Sequence, residues 1–312
     1  MTLRQLQYIT EIARCGLSVS AAARALHTSQ PGISRQVHQL EAELGIEIFL
    51  RSRNRLSAIT EQGERVLAYA RLALDEVDNI GAVAAQSKRP RSGTLTIATT
   101  HTQARYVLPE VIKTFSRHYP RVRLTLQHGD PAQIVERVSS GAADFGVTTD
   151  TGPPRSELLV FPCRRFQRVL IVPAGHKLLA SRPLTLAKLA RYPLISYEPQ
   201  YTGRVVLYAA LEQVGLSPNV VVSAIDADVI KTCVEQGLGV AVLSEVTFDA
   251  LRDSQLRAIP ARHLFAPSIT HMVVHRSRFL QHYAYDFIEY FAPEWTRARV
   301  QHEAGLRQRG AR

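Results

Sequence analysis

The sequence predicts an α/β chain whose N-terminal part is all α. Apolar residues recur at helical spacing over residues 3–44, and strand-like and helix-like segments alternate from Thr94 onwards. A single long helical pattern, from Thr60 to about Ala85, lies between these two regions. With 312 residues, of which 46% are apolar and 21% charged, the chain is long enough for two or more domains and has an ordinary globular composition.

Three helices are predicted in the first 45 residues. Residues 3–14 carry an apolar stripe that Gly16 ends, and Ser18 can cap the second helix. The third helix begins at Ser29, with Pro31 in its first turn, where proline costs no hydrogen bond. Its N-terminal half carries polar side chains off the apolar stripe, namely Gln30, Ser34, Arg35 and His38. Such a face suits the reading of base edges in a major groove, with a merely solvated face of a three-helix core as the alternative.

A hairpin-like stretch, residues 49–60, follows the third helix. It carries arginines at alternate positions, Arg51, Arg53 and Arg55, and this alternation predicts that they lie on one side of a strand. Arginines so placed can neutralise phosphates or enter a minor groove. A helix-turn-helix followed by an arginine-bearing wing is more specific than either part alone. Residues 1–60 are therefore predicted to be a winged helix-turn-helix that binds double-stranded promoter DNA.

This N-terminal region resembles the DNA-binding domain of the LysR-type transcriptional regulators. The resemblance rests on residues 21–26, 29–37, 40–45, 49–51 and 60–63. It implies that the third helix enters the major groove and that the wing approaches the adjacent minor groove. It implies base or backbone contacts for Gln30, Pro31, Ser34 and Arg35, and backbone or minor-groove contacts for Arg51 and Arg53.

The long helix that Thr60 caps is predicted to dimerise. Its apolar residues recur at alternating steps of four and three, the spacing of a heptad seam: Val66, Ala70, Ala73, Val77, Ile80 and Ala84. The alternative is an amphipathic helix packed on its own domain, but a helix between two domains would leave the seam exposed. Residues 61–93 are therefore predicted to be a linker and dimerisation segment, with a polar hinge at residues 87–93.

Residues 94–292 are predicted to form two similar α/β lobes with mostly parallel sheets. The elements predicted for the first lobe are residues 95–98, 106–118, 122–126, 133–139 and 145–147, and those for the second are residues 169–172, 186–189, 194–196, 204–214, 220–222, 227–236 and 240–243. After a strand at 271–274, the helix 279–291 is predicted to return to the first lobe. Two such lobes resemble the type 2 periplasmic binding proteins, and residues 293–312 are predicted to be a basic tail.

Threonines cluster where predicted strands end or helices begin in both lobes. Thr100, Thr102 and Gln103 follow the first strand, Thr149 follows the third, and Thr202 begins a helix. Hydroxyl groups, an amide and free N–H groups suit an anion such as a carboxylate or sulfate. These donors are neutral, so the site would hold an anion without a permanent ion pair. Helix capping is the alternative and is favoured for Thr202 taken alone, but three clusters favour one shared site.

Further runs resemble the CysB and Cbl branch of the LysR-type regulators over nearly the whole chain. The runs are residues 98–106, 202–204, 226–232, 237–240 and 285–288. The resemblance implies control of cysteine biosynthesis and sulfur assimilation, an effector site made of the five side chains above, and a tetramer built as a dimer of dimers. RNA polymerase is a further expected partner. Because residues 198–201 depart from the branch pattern, the effector stays open among acetylserine, sulfate, thiosulfate and adenosine phosphosulfate.

No enzyme, cofactor, metal or membrane function is predicted. Nucleotide-binding glycine motifs are absent, Cys163 has no local histidine to act as a base, and the eleven histidines show no metal-ligand spacing. The N-terminus lacks an apolar signal region, and the three cysteines suggest no disulfide framework, so a cytoplasmic protein is expected. A net charge of +11 favours nucleic acid as a partner. A regulator of another metabolic pathway and a solute-binding protein are the alternatives.

Overall fold

The computed structural model describes residues 1–53, 55–88, 91–181 and 183–305. The chain divides into two compact units, residues 1–88 with 277–279, and residues 89–276 with 280–312. Within the described ranges, every helix falls short of the length or the apolar composition that crossing a bilayer requires.

The N-terminal unit begins with three helices whose first turns are fixed by side-chain caps. They are α1 (Leu3–Arg14), α2 (Val19–Ala25) and α3 (Gln30–Leu44). The side chains of Ser18 and Ser29 accept backbone hydrogen bonds at the starts of α2 and α3, which confirms both predicted starts. Gly45 ends α3 with φ +68°, a left-handed conformation that glycine adopts without strain.

An antiparallel hairpin follows α3. Its strands are β1 (Phe49–Ser52) and β2 (Arg55–Ile59), and the chain reverses at Arg53, whose φ is +48°. Asn54, in the same turn, lies outside the described residues. The prediction that three alternating arginines share one side of a single strand is wrong, because the turn interrupts the two-residue alternation. Arg51 lies on β1, Arg53 in the turn and Arg55 on β2.

The long helix α4 (Glu61–Lys88) begins as predicted, since Thr60 Oγ1 accepts a hydrogen bond from the Gly63 N–H at 2.8 Å. Its first half packs into the core of the N-terminal unit, where Leu67 and Ala70 are buried. Further along, Val77 and Ile80 are 40% and 70% exposed. Only the later part of the predicted seam is therefore open to a partner. The predicted hinge includes residues 89 and 90, which lie outside the described residues.

The second unit alternates strands and helices. In chain order its elements are β3 (Ser92–Thr99), α5 (His101–Tyr106), α6 (Leu108–His118), β4 (Arg121–His128), α7 (Pro131–Ser139), β5 (Phe145–Thr148), β6 (Leu158–Phe166), β7 (Arg168–Pro173), α8 (Leu186–Leu189), β8 (Leu194–Tyr197), α9 (Thr202–Glu212), β9 (Val220–Ala224), α10 (Ala227–Glu235), β10 (Ala241–Ser244), β11 (Leu256–Pro260), β12 (Ser268–His275), α11 (His282–Phe291) and α12 (Arg297–Glu303).

These elements form two lobes with mixed sheets. The first lobe has a five-stranded sheet in the order β4-β3-β5-β12-β6, in which β3 is parallel to its neighbours and β12 is antiparallel to its own. The second lobe has an antiparallel sheet, β10-β7-β11, and a parallel pair, β8-β9. The prediction of mostly parallel sheets is wrong, because β6 leads out of the first lobe and β12 leads back into it, so the two pair in opposite directions.

Two elements depart from the predicted pattern for reasons that involve proline. Residues 106–118, predicted as one helix, are divided between α5 and α6, because Pro109 lacks the N–H that would bond to the Arg105 carbonyl. The sequence pattern did not predict β6, since Pro162 and the polar residues after it break the apolar alternation. This strand lies at the edge of its sheet, where proline is tolerated.

The C-terminal helices complete the first lobe. The predicted return helix is confirmed, since α11 places Phe287 and Phe291 in the core of that lobe. Trp295 and Val300 are buried in the same core, so the first part of the segment predicted as a basic tail is folded. Residues 306–312 lie outside the described residues.

Candidate functional site

The first candidate site is the outer face of α3 together with the wing. Ile33, Val37 and Leu40 are buried beneath α3, which directs its polar side chains outwards. Five of the eight predicted DNA-contacting residues line one concave surface of about 720 Å³: Gln30, Ser34, His38, Arg51 and Arg55. The other three are exposed but do not line it: Pro31, Arg35 and Arg53.

Gln30 is oriented by a neighbouring helix. The Ser20 hydroxyl donates a hydrogen bond to Gln30 Oε1 at 2.9 Å. Because this bond occupies the amide oxygen, Gln30 offers its amide N–H groups to an outside partner. The first residue of α3 is thereby prepared to donate to a base edge or a phosphate.

Glu41 joins α3 to the wing, a role that sequence reasoning missed. Its carboxylate is buried and accepts hydrogen bonds from the N–H groups of Ile48 and Phe49, at 2.8 and 3.1 Å. It also accepts one from Arg51 Nη2 at 2.6 Å, and the Arg51 side chain is 29% exposed. Arg51 therefore holds the wing against α3. A periodic pattern could not reveal this tie, because the donors come from a different element.

The second candidate site is a cavity of about 40 Å³ between the two lobes of the second unit. The structure brings all five residues of the predicted effector site together in its lining: Thr100, Thr102, Gln103, Thr149 and Thr202. Thr149 Oγ1 and Thr202 Oγ1 lie 3.0 Å apart, so the hydroxyls of the two lobes meet directly. The cavity has room for a ligand of few atoms.

Helix capping does not account for Thr100 or Thr202. Thr100 stands at the N-cap of α5, yet its side chain makes no capping hydrogen bond. The N-cap of α9 is Tyr201, and Thr202 is the first helical residue. The next residue, Gly203, packs against the Tyr197 ring, where a Cβ would lie only 2.4 Å from a ring carbon. Glycine therefore lets α9 approach the cavity closely.

Polar atoms without partners are concentrated in the cavity lining. In the described part of the chain, five buried side-chain polar atoms lack a hydrogen-bond partner, and four of them belong to lining residues: His101 Nδ1, Gln103 Oε1, Arg168 Nε and Ser244 Oγ. Buried polar groups in folded proteins are nearly always hydrogen-bonded. The cavity therefore presents a concentrated set of polar atoms that a small polar ligand or water molecules can hydrogen-bond.

Arg168 is the lining residue that sequence reasoning missed. It is the first residue of β7 and is 4% exposed. Burial lowers the pKa of Arg168, and burial raises the pKa of Tyr197 to about 12 against the opposing effects of the Thr102 hydroxyl and the Arg168 charge. The five predicted donors are neutral, but the cavity lining also carries a cation that was not predicted. The only sequence signal was a single arginine directly before the apolar run 169–172.

A cluster of three titratable residues lies at the rim of the cavity. Ligand atoms of His101, Asp226 and Asp228 lie within 4.8 Å of one another. Asp228 already accepts a hydrogen bond from the Tyr106 hydroxyl at 2.6 Å and pairs with Arg105 Nε at 2.5 Å. These two donors already engage the Asp228 carboxylate, whose negative charge a metal ion would need. Asp228 instead ties α5 of the first lobe to α10 of the second.

Cys163, the only residue considered as a nucleophile, lies outside both candidate sites. Burial raises its pKa to about 12, and its thiol donates a hydrogen bond to the Phe161 carbonyl. The thiol is therefore protonated at neutral pH, which suits a buried structural cysteine.

Comparison with known proteins identifies both halves of the chain. The family described as "Bacterial regulatory helix-turn-helix protein, lysR family" matches residues 3–64, and "LysR substrate binding domain" matches residues 88–296. The regulator CysB of Haemophilus influenzae is 45% identical over 307 residues, which cover 98% of this chain and 95% of that protein. SsuR of Burkholderia cenocepacia is 41% identical over 98% of each chain.

A solved structure shows the same relationship for the second unit. The cofactor-binding domain of the Cbl transcriptional regulator aligns with a TM-score of 0.65 and 38% identity, covering 68% of this chain and 93% of that one. These relatives are regulators rather than enzymes. The chain belongs to the LysR family of DNA-binding transcriptional regulators.

Proposed function

We propose that this regulator senses a small oxyanion and controls genes of sulfur assimilation and cysteine biosynthesis. The observation that carries the effector proposal is the concentration of unpartnered polar atoms around the interlobe cavity. Similarity to CysB and SsuR over nearly the whole chain supports the choice of pathway. The alternative is a regulator of another metabolic pathway, and identifying the genes that it regulates would distinguish the two.

The size of the cavity favours sulfate or thiosulfate over the larger candidate effectors. A cavity of about 10–15 Å³ is enough to hold one water molecule, and pockets for drug-sized ligands are about 300–1,000 Å³. A cavity of about 40 Å³ therefore suits an ion of a few atoms. Acetylserine or adenosine phosphosulfate would require the lobes to move apart. The proposed contacts are the hydroxyls and amide of Thr100, Thr102, Gln103, Thr149 and Thr202.

The outer face of α3 and the wing are the proposed DNA interface. Side chains from the N-terminal half of α3 would enter the major groove: Gln30, Pro31, Ser34, Arg35 and His38. Arg53 and Arg55 would contact phosphates or the adjacent minor groove. Arg51 would contribute chiefly by holding the wing in place, because Glu41 already engages its guanidinium.

The proposed working form is an oligomer. Two copies would pair along the later part of α4, so that two α3 helices read two half-sites about one helical turn apart. A second pairing, between effector units, would make a dimer of dimers. RNA polymerase is the proposed partner at the promoter, and the cytoplasm, where bacterial promoter DNA lies, is the proposed location.

Variants of two cavity threonines test the effector proposal. Thr102→Ala and Thr202→Ala should each weaken sulfate binding about tenfold, because each removes a hydrogen bond to a charged ligand. Both should bind promoter DNA normally in sulfate-free buffer. Calorimetry gives the sulfate affinity, and Thr114→Ala, an exposed threonine on α6, is the matched control. Wild-type sulfate affinity in both variants would place the effector elsewhere.

A separate experiment tests the regulated pathway. DNA crosslinked to the regulator in cells should be enriched in promoters of genes for sulfur uptake and cysteine synthesis. Enrichment should change when sulfate replaces a reduced sulfur source in the medium. If the recovered promoters belonged to an unrelated pathway, the assignment to sulfur metabolism would fail while the DNA-binding role stood.

A further inference from the structure

Arg168 is a buried cation for which the described part of the chain supplies no carboxylate partner. It begins β7, the central strand of its sheet, and the Ala261 N–H donates a hydrogen bond to its carbonyl at 3.1 Å. Its side chain is 4% exposed and lines the interlobe cavity. Within the described residues, no carboxylate acts on the guanidinium, and its Nε finds no hydrogen-bond acceptor. A cation in this position is strongly unfavourable unless something else supplies the opposite charge.

The rest of the lining offers no carboxylate. Its polar members are hydroxyls, an amide and an imidazole, and its other members are apolar or glycine. Two acidic residues, Asp226 and Asp228, lie beside His101 but do not line the cavity. Asp226 accepts the Val229 N–H at 2.8 Å, and Asp228 is paired with Arg105. The residues that line the cavity therefore offer one positive charge to a ligand and no carboxylate.

We propose that Arg168 is the charge partner of the bound effector and makes the cavity select a net anion over a zwitterion. An oxyanion or an acylated, ammonium-free carboxylate would pair with the guanidinium and fill the unpartnered donors around it. An amino-acid zwitterion would bring an ammonium group that finds no carboxylate in the lining. This inference rests on the effector site proposed above and narrows the chemical class of its ligand.

The same contact would couple the ligand to lobe closure. Arg168 and Ser244 come from the sheet of the second lobe, whereas Thr100 and Gln103 come from the first. An anion held by both lobes offsets the Arg168 charge most fully when the lobes are closed. Because a ligand shifts a conformational equilibrium only by its differential affinity, this charge contact would favour the closed form.

The test measures binding of two probes, sulfate and O-acetylserine, to the full-length protein in chloride buffer. Wild-type protein should bind sulfate more tightly than the zwitterion. Arg168→Gln should weaken sulfate binding about 100-fold, as expected for loss of a charged hydrogen-bonding partner, and should change binding of O-acetylserine far less. Arg168→Lys should weaken sulfate binding less than Arg168→Gln. Arg191→Gln, an exposed position in the same lobe, is the control for net charge.

Thermal unfolding distinguishes a charge partner from a merely structural arginine. Without sulfate, Arg168→Met should unfold at or above the wild-type temperature, because it removes an unpaired buried charge. Sulfate should then raise the unfolding temperature of the wild type but not of the variant. A variant that is less stable than wild type without sulfate, yet equally stabilised by it, would overturn the proposal. If Arg168→Met fails to fold, the ratio of the two probe affinities in Arg168→Lys and Arg168→Gln decides the question.

The threonine variants separate this inference from the effector proposal itself. Suppose that Arg168→Gln loses sulfate binding while Thr102→Ala and Thr202→Ala bind sulfate normally. That result would support Arg168 as the charge partner and reject the threonine contacts. The reverse pattern would support the proposed effector site and reject the role of Arg168 as charge partner. A wild-type protein that binds O-acetylserine more tightly than sulfate would reject the proposed selectivity.

Discussion

At the tip of the wing, Arg53 holds a backbone conformation that favours glycine. Its φ of +48° lies in the left-handed region, and its side chain is exposed. This conformation costs an L-residue about 1–2 kcal/mol relative to the right-handed one. An exposed arginine gains little packing there, so a need for its positive charge explains its presence better than stability does.

Replacing Arg53 by glycine should separate stability from DNA affinity. The relief of left-handed strain is offset by the larger entropy of a glycine in the unfolded chain, about 0.5–1 kcal/mol. The free energy of unfolding should therefore change by less than about 1 kcal/mol, while the slope of log affinity against log salt falls by about 0.9 per lost phosphate contact. Fluorescence anisotropy at several salt concentrations and calorimetry measure the two effects. Arg53→Lys should keep most of the slope, and an unchanged slope in Arg53→Gly would remove Arg53 from the interface.

The two sites differ in how far individual residues could be predicted. The threonines were predictable because strand ends and helix starts are legible in a sequence and meet at the edge of a sheet. Glu41 and Arg168 were not, because a single charged residue in a periodic segment looks the same whether it meets solvent or a buried partner. Their roles depend on which groups from other elements surround them.

At the scale of one element, α4 serves two different purposes along its length. Leu67 and Ala70 are buried in the N-terminal unit, so the first half of the apolar stripe stabilises its own domain. Val77 and Ile80 are exposed in the second half. The heptad spacing is continuous across both halves, so spacing alone could not show where packing within one chain ends and a surface for a second copy begins.

Two aspartates placed in the exposed half of α4 should prevent pairing of copies. The double variant Val77→Asp, Ile80→Asp would bring like charges together along the proposed seam, where apolar contact is needed. Light scattering should show dissociation at micromolar concentration, and binding to a two-half-site promoter should weaken. Arg71→Asp, off the seam on the same helix, should remain associated. Intact assembly of the double variant would place the interface on another surface.

At the scale of the effector unit, the two lobes are joined by contacts on either side of the ligand cavity. The hydroxyls of Thr149 and Thr202 meet across it. At its rim, Asp228 of α10 accepts from Tyr106 and pairs with Arg105, both on α5. The helix that carries Thr102 and Gln103 thus also carries the tie to the second lobe. Residues proposed to contact the ligand and residues that join the lobes therefore lie on the same short helix, α5.

Removing the tie at Asp228 should weaken every ligand that needs closed lobes. Arg105 is half-exposed, so its ion pair contributes about 0–1 kcal/mol, and the Tyr106 hydrogen bond adds about 1 kcal/mol. Asp228→Asn should therefore weaken sulfate binding about tenfold, and Tyr106→Phe somewhat less. Calorimetry measures both, with Glu235→Gln at the exposed end of α10 as control.

This prediction also has a distinctive signature. The Asp228 variant should weaken sulfate and thiosulfate by similar factors, since both are small oxyanions that fit between closed lobes, whereas the Arg168 variant should change the ratio of sulfate to O-acetylserine affinity. Wild-type affinity for both oxyanions in Asp228→Asn would show that the rim contacts do not contribute to closure.

The amino-acid sequence by itself determined most of the elements and their order. Helix caps such as Ser18, Ser29 and Thr60, the apolar periodicity and the strand-end threonines are local signals, because each depends on residues close together in the chain. They sufficed to predict a helix-turn-helix with a wing, a long linker helix and a two-lobed α/β unit. They also sufficed to place five polar side chains at one cleft.

Only the tertiary structure decided which strands pair, whether each pair is parallel or antiparallel, and what charge the effector site carries. The antiparallel pairing of β12 and the division of α4 depend on residues far apart in sequence. Arg168 acquires its significance from burial beside hydroxyls with no carboxylate in reach, and Glu41 from three donors on the wing. These features share one physical reason. Burial and electrostatic pairing depend on the groups around a residue, and folding brings those groups together from segments that are far apart in the sequence.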